Sequence, residues 1–337
     1  MGFEYAIKKV ENQKELSKED IIHLLLASGR KQQILFDLAN EIRAQNFKDV
    51  VYLRGILEFS NYCKQNCLYC GIRKDNRNIE RYRMTPEEII EYALKIKDMG
   101  INTIVLQSGE DKWYNSIKLA QIIKKIKKYC NGIVITLSIG ERSKEEYALF
   151  KKAGANRFLL KHETSDEKLF EYLRPGTTLK NRLNCLKVLK ELGYEIGPGN
   201  IIGLPGQTIE TIAEDILLFK KLNADMVGIG PFIPHPQTPL KSHPAGSLEL
   251  TLKTIAITRI VLPKANIPAT TAIATLHPKG YELALNCGAN VIMPNFTPLK
   301  FKQKYQIYPK KAGSDKDAYK LLEEIFKIIE KLKRRPL

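Results

Sequence analysis

Three cysteines, Cys63, Cys67 and Cys70, stand in the spacing C-x3-C-x2-C just after the apolar run from Val50 to Phe59. Thiolates bind iron–sulfur clusters and zinc alike, but structural zinc closes its tetrahedron with four protein ligands. Three thiolates on a 4Fe-4S cubane instead leave one iron without a protein ligand, open to an exogenous group. That open iron is where chemistry would start. The alternative is a zinc site completed by a distant His or Cys, although the chain carries no other CxxC and no HxxxH.

Polar residues that could surround such a centre collect at the ends of short apolar, β-branched runs. Eight runs recur: Val51–Phe59, Thr103–Gly109, Ile133–Gly140, Arg157–Glu163, Glu195–Pro205, Met226–Phe232, Ile267–Ile273 and Val291–Phe296. Helical signals separate them. Thr85-x-x-Glu88 and Ser143-x-x-Glu146 read as capping boxes, the first with Pro86 at the first helical position. Ile209, Ile212, Ile216 and Phe219 keep helical spacing, as do Leu179, Leu183, Leu186 and Leu189. Strand–helix alternation of this kind predicts an α/β fold, a complete (β/α)8 TIM barrel over about 49–300. A helical extension over 1–48 precedes it, and a closing segment and helix over 301–337 follow. In such barrels the carboxyl ends of the strands build the active site. Here they carry the cysteines, then Gln107-Ser108-Gly109-Glu110, Ser138, Lys161-His162-Glu163, Gly203-Leu204 and Thr270-Thr271.

With Tyr69 ahead of the last cysteine, the loop resembles the cluster loop of radical S-adenosylmethionine (SAM) enzymes. Bound there, the cofactor's methionine ammonium needs acceptors, which Ser108, Gly109 and Glu110 can supply. Its carboxylate needs a cation, and Arg182 offers a forked clamp. The ribose diol suits Glu163 with Ser138 assisting, and the adenine edge suits backbone near Gly203-Leu204 and Ile229. The duller readings are an ordinary turn for 108–110, a surface position for Arg182 and a structural ion pair for Glu163. His162 and His235 read as hydrogen-bonded neighbours, and Cys130, Cys185 and Cys287 as packing residues.

The strings LEFSNYCKQNCLYCGIRKDN, VLQSGED, LRPGT, GLPGQT, DMVGIGPFIPHPQTPL, IPATTA and GANVIMPNFTP resemble the radical SAM maturases of iron-iron hydrogenase, the HydE family, over about residues 54–309. The resemblance implies one 4Fe-4S cluster at Cys63, Cys67 and Cys70 and reductive cleavage of SAM to methionine and a 5'-deoxyadenosyl radical. It further implies a small organometallic, cysteine-bearing substrate with carbon monoxide and cyanide ligands. Cavity positions for that anionic guest would be Arg54, Thr136, Lys161, Met226, Thr270, Thr271, Met293 and Tyr305; cofactor positions would include Tyr69 and Gln107. An external electron donor and transient contact with the scaffold GTPase HydF are implied as well. Two departures stand out. Lys161 replaces the arginine of many relatives, exchanging a planar fork for a point charge. The tail from Lys310 to Leu337 has no cysteine for a second cluster. Biotin synthase and methylornithine synthase are the related enzymes that share the barrel, and a zinc-stabilised nucleic-acid-binding barrel is the reading of a different class.

The formal charge of +17 is assigned mainly to lysines on exposed helix faces such as Ile122–Tyr129, so no nucleic acid is expected as a partner. No apolar stretch reaches the roughly 18 residues of a membrane span, and the start lacks a signal-peptide core. Isolated cysteines outside the triplet point to a reduced compartment, and a cytoplasmic location is expected.

Overall fold

The computed structural model describes residues 2–337. Barrel strand one is built from β1 (Val50–Leu53) and β2 (Gly55–Ser60), and β3 (Thr103–Ser108), β4 (Val134–Ser138) and β5 (Arg157–Leu159) supply strands two to four. Strand five is shared by β6 (Glu195–Gly197) and β7 (Gly199–Ile202); β8 (Gly228–Pro231), β9 (Pro268–Ala269) and β10 (Val291–Ile292) complete the eight. Their order is β2-β3-β4-β5-β6, β7-β8 and β9-β10-β1, all parallel. The Met226–Asn266 bridge joins strands six and seven, so the barrel closes. Its shell is one continuous apolar core between strands and helices.

The local signals act as their chemistry requires. Thr85 and Ser143 cap helices Pro86–Asp98 and Lys144–Ala153 with reciprocal capping boxes. Gly100, Gly132, Gly154 and Gly193 take positive φ at helix ends. Two expected strands are interrupted. Pro198 has no N–H to give the ladder, and strand five divides around it. Strand one divides at Arg54, where β1 keeps its partner β10 and β2 turns to β3. Strand seven is much shorter than its apolar run, because the chain turns at Thr270 into the helix Thr271–Leu276.

The N-terminal helices Phe3–Glu11, Lys18–Leu25 and Gly29–Phe47 lie on the side of the barrel, against helices Ile209–Lys221 and Leu248–Val261. The second of these is buried from Thr251 to Arg259, which explains why its sequence has no continuous polar face. At the other end, helix Ala318–Lys331 leads into β11 (Arg335–Pro336), which adds to the free edge of β1. Nothing in the tail's composition announces that strand. Among the described residues no helix is long and apolar enough to cross a membrane.

Candidate active site

A cavity of about 380 Å³ opens at the carboxyl ends of the strands. Cys63, Cys67 and Cys70 border it, on the loop between β2 and helix Pro86–Asp98. Arg81 organises that loop: its guanidinium donates to the carbonyls of Asn61 (2.5 Å), Ile72 (2.9 Å), Arg73 (2.7 Å) and Asn76 (3.1 Å). The loop also approaches the end of β3 very closely. A Cβ on Gly109 would lie 2.3 Å from the Tyr62 carbonyl and 2.7 Å from Cys63 Cβ, so only glycine fits. Gly140, at φ +73°, similarly leaves room for Glu110, whose Cγ would stand 2.0 Å from an added Cβ.

Burial raises the pKa of all three thiols, which disfavours bare, unpaired thiolates at this site. Among the described residues, no three His, Cys, Asp or Glu side chains converge as they would on a single ion. A cubane, which spreads its thiolates over separate iron corners, suits this triplet better than zinc does. Two sulfurs receive donors from outside the triplet. The Glu110 N–H donates to Cys63 Sγ at 3.4 Å, and Arg174 Nη1 donates to Cys67 Sγ at 3.1 Å and to Tyr69 Oη at 3.0 Å. Arg174, buried and 3.7 Å from Glu110, escaped the sequence reading because one arginine in Leu-Arg-Pro-Gly carries no pattern.

Across the cavity, Arg182 is buried on helix Leu179–Glu191. Its Nε donates to Glu141 (2.7 Å) and Nη1 to the Lys161 carbonyl, while Nη2 has no partner. Glu163 Oε2 is likewise buried without a hydrogen bond, 3.7 Å from Lys161 Nζ. Glu163 holds φ +66°, an uncommon backbone state for a side chain of this size. Desolvation lowers the Lys161 pKa, against the pull of Glu163. A buried donor and a buried acceptor, each unsatisfied, cost free energy unless a ligand meets them. They fit a molecule that carries both a carboxylate and a diol, and the three cysteines in the same cavity fit the cluster.

Of the other positions selected from the sequence, Tyr69, Gln107, Ser108, Gly109, Glu110, Ser138, Thr270, Thr271, Met293 and Tyr305 border this cavity. Arg54, Thr136 and Met226 do not. They share the inward parity of Glu58, Ser138 and Gly228 but sit lower in the barrel, where Arg54 Nη1 donates to Met226 Sδ at 2.8 Å and Thr136 Oγ1 is unpartnered. Burial lowers the Arg54 pKa to about 9. Ile229 faces away, since its neighbours Gly228 and Gly230 take the cavity side. Leu204 packs with Leu173, Phe232 and Leu240. His162 donates to or accepts from Asp215 at 3.1 Å, and His235 Nδ1 accepts the Gln237 N–H, so both serve as hydrogen-bonded neighbours. The three other cysteines are buried and free.

The C-terminal segment forms the remaining wall with Tyr305, Ile307, Tyr308 and Lys311. Lys311 Nζ pairs with Glu58 at 2.5 Å, and Glu58 also accepts from Asn295 at 2.8 Å. No residue pattern in the sequence linked positions 253 apart. Breaking a buried pair strands one charge, so Lys311→Met should destabilise the fold by about 3–5 kcal/mol. Guanidinium denaturation should also show Glu58→Gln/Lys311→Met regaining most of that loss.

Comparison with known proteins agrees with this geometry. The radical SAM superfamily matches residues 57–219. The [FeFe] hydrogenase maturase subunit HydE of Thermotoga maritima is 51% identical over 98% of this chain and 94% of its own length. The 3-methylornithine synthase of Methanosarcina acetivorans is 34% identical over 82% of this chain and 79% of its own. Among solved structures, methylornithine synthase superposes with a TM-score of 0.86 at 28% identity, covering 98% of this chain and 97% of that one. Radical SAM membership brings with it a 4Fe-4S cluster and SAM as cofactors. Half the residues shared over nearly the whole length leave one conclusion: this chain belongs to the HydE family of [FeFe] hydrogenase maturases, enzymes of the radical SAM superfamily.

Proposed function

We propose that the chain works on a cysteine-bearing iron species with carbon monoxide and cyanide ligands, a precursor of the diiron subsite of the hydrogenase H-cluster. The observation that carries this reading is the match to HydE over nearly the whole chain, with Lys161, Thr270 and Thr271 bordering the same cavity as the cysteine triplet. When bound, the cluster and SAM supply a 5'-deoxyadenosyl radical. The chain's own residues bind and orient. Cys63, Cys67 and Cys70 hold one cluster; Arg182 takes the SAM carboxylate; Ser108, Gly109 and Glu110 receive the ammonium; Glu163 and Ser138 take the ribose diol. For the adenine, backbone at Gly203-Leu204 and Ile229 takes the edge, and Ile201 and Phe232 border the cavity beside it. Lys161, Thr270 and Thr271 offer a cation and two hydroxyls to an anionic guest, with Met293 and Tyr305 beside them. The barrel walls around the cavity restrict the water that reaches the reacting centre. HydF is the proposed recipient of the product, and the free thiols support a reducing, cytoplasmic setting.

Anaerobically reconstituted protein should hold about 4 irons per chain, as one cubane requires, and release 5'-deoxyadenosine from SAM under a strong reductant. About 8 irons would show a second cluster, and absence of 5'-deoxyadenosine would remove the activity. The methylornithine-synthase likeness supplies the second reading: a methylated ornithine formed from lysine would establish it.

A further inference from the structure

The proposed reaction consumes one electron per SAM cleaved, and that electron must enter from outside the cavity. The surface beside Cys63 has the features of an entry point. Trp113 is 42% exposed on the loop after β3, held edge-on to the buried Tyr114 ring at 4.7 Å. The Arg83 guanidinium lies 3.6 Å from the Tyr62 ring and 5.7 Å from the Trp113 ring, and Lys118 Nζ sits 3.1 Å over the indole. One buried carboxylate fixes this stack: Asp111 accepts Arg83 through both oxygens (2.7 and 3.0 Å) and the Trp113 N–H at 3.0 Å. Tyr62 immediately precedes Cys63, and the Glu110 N–H on the same loop as Trp113 reaches Cys63 Sγ. An exposed aromatic is therefore joined, contact by contact, to a residue next to a cluster ligand.

The charge around it is mainly positive. Between Tyr62 and Arg83 the chain carries six Lys and Arg (64, 73, 74, 77, 81, 83) against two acids, Asp75 and Glu80, and Lys112 and Lys118 extend the basic face. Exposed Trp with Arg and Tyr is the composition of an interface anchor, and a basic rim steers an acidic partner.

We propose that this face, centred on Trp113 with Lys112 and Lys118 at its rim, docks a small acidic one-electron carrier of the flavin or iron–sulfur class. The inference rests on the radical SAM reading of the site. The carrier is oxidised by one electron and the cluster reduced by one; no bond forms between the two proteins. A nucleic acid could also favour basic and aromatic groups, but this stack leads to Cys63 rather than along an extended groove, which favours electron delivery.

The test uses the cluster-loaded full chain and reduced flavodoxin, an acidic flavoprotein, in anaerobic stopped flow at low ionic strength. In Lys112→Glu/Lys118→Glu, and separately in Trp113→Ala, the second-order rate of cluster reduction should fall about tenfold or more, and the charge-reversed variant should lose the wild-type salt dependence. Dithionite-driven 5'-deoxyadenosine release should stay at the wild-type level in both. Flavodoxin reduction at the wild-type rate in both variants would overturn the docking site, as would an equal loss with dithionite. Single-stranded RNA binding lost in both variants while electron transfer persists would also overturn it. Wild-type protein that releases no 5'-deoxyadenosine with dithionite would instead refute the radical SAM reading.

Discussion

Replacing Arg182 by leucine should weaken SAM binding about 10- to 100-fold, because a charge-assisted hydrogen bond to a buried group is worth roughly 1.5–3 kcal/mol. Iron content should stay at the wild-type value, since Arg182 touches none of the cysteines. The expectation follows from the position of this side chain. Two of its nitrogens already hold Glu141 and the Lys161 carbonyl, which lock the guanidinium; the third is buried and unpartnered, on a residue that borders the cavity. Arg182→Lys keeps a charge but loses the fork, so its affinity should fall between wild type and the leucine variant. Equilibrium binding of SAM to reconstituted protein reads the effect. Undiminished affinity in Arg182→Leu would assign the side chain to structure through Glu141 alone.

The fold was legible because its signals are local. Capping boxes at Thr85 and Ser143, glycines at helix ends and apolar runs at strand spacing each act within a few residues, and the barrel follows from their alternation. The grouping of the three cysteines at one cavity was legible for the same reason, since they lie within eight positions, 63–70. Contacts made by distant side chains were not. Lys311 meets Glu58 and Arg174 meets Cys67 across 253 and 107 positions, and no periodicity joins them. Depth inside the barrel was hidden too. Arg54, Thr136 and Met226 have the parity of the cavity residues, and parity alone cannot say how far down a strand the cavity floor lies. At Ile229 the side chain points away while its neighbours Gly228 and Gly230 border the cavity, so only its backbone is available to a ligand.

The largest effect on the cluster itself is expected at Arg174. Its guanidinium is buried, 3.1 Å from Cys67 Sγ, and so places both a positive charge and an N–H donor against the sulfur of a proposed cluster ligand. Reduction adds negative charge to the cluster. A cation and a donor at a ligating sulfur stabilise that charge, and hydrogen bonds to sulfur are among the factors that set iron–sulfur potentials. Arg174→Leu removes both contributions, which act in the same direction. An interaction on the order of 1–2 kcal/mol, the range for a charged hydrogen bond partly screened by its surroundings, corresponds to roughly 40–90 mV for one electron. The potential of the variant should move negative by that amount. Arg174→Lys should shift it less, keeping charge without the second contact to Tyr69. An EPR-monitored redox titration of the reconstituted protein measures this directly. A purely architectural role for Arg174 would lower the iron content and leave the potential of the assembled fraction in place. Because SAM cleavage needs a strongly reducing electron, the side chain sets how reducing a donor the enzyme requires: without Arg174, a weaker donor should leave the cluster oxidised even when its docking face is intact.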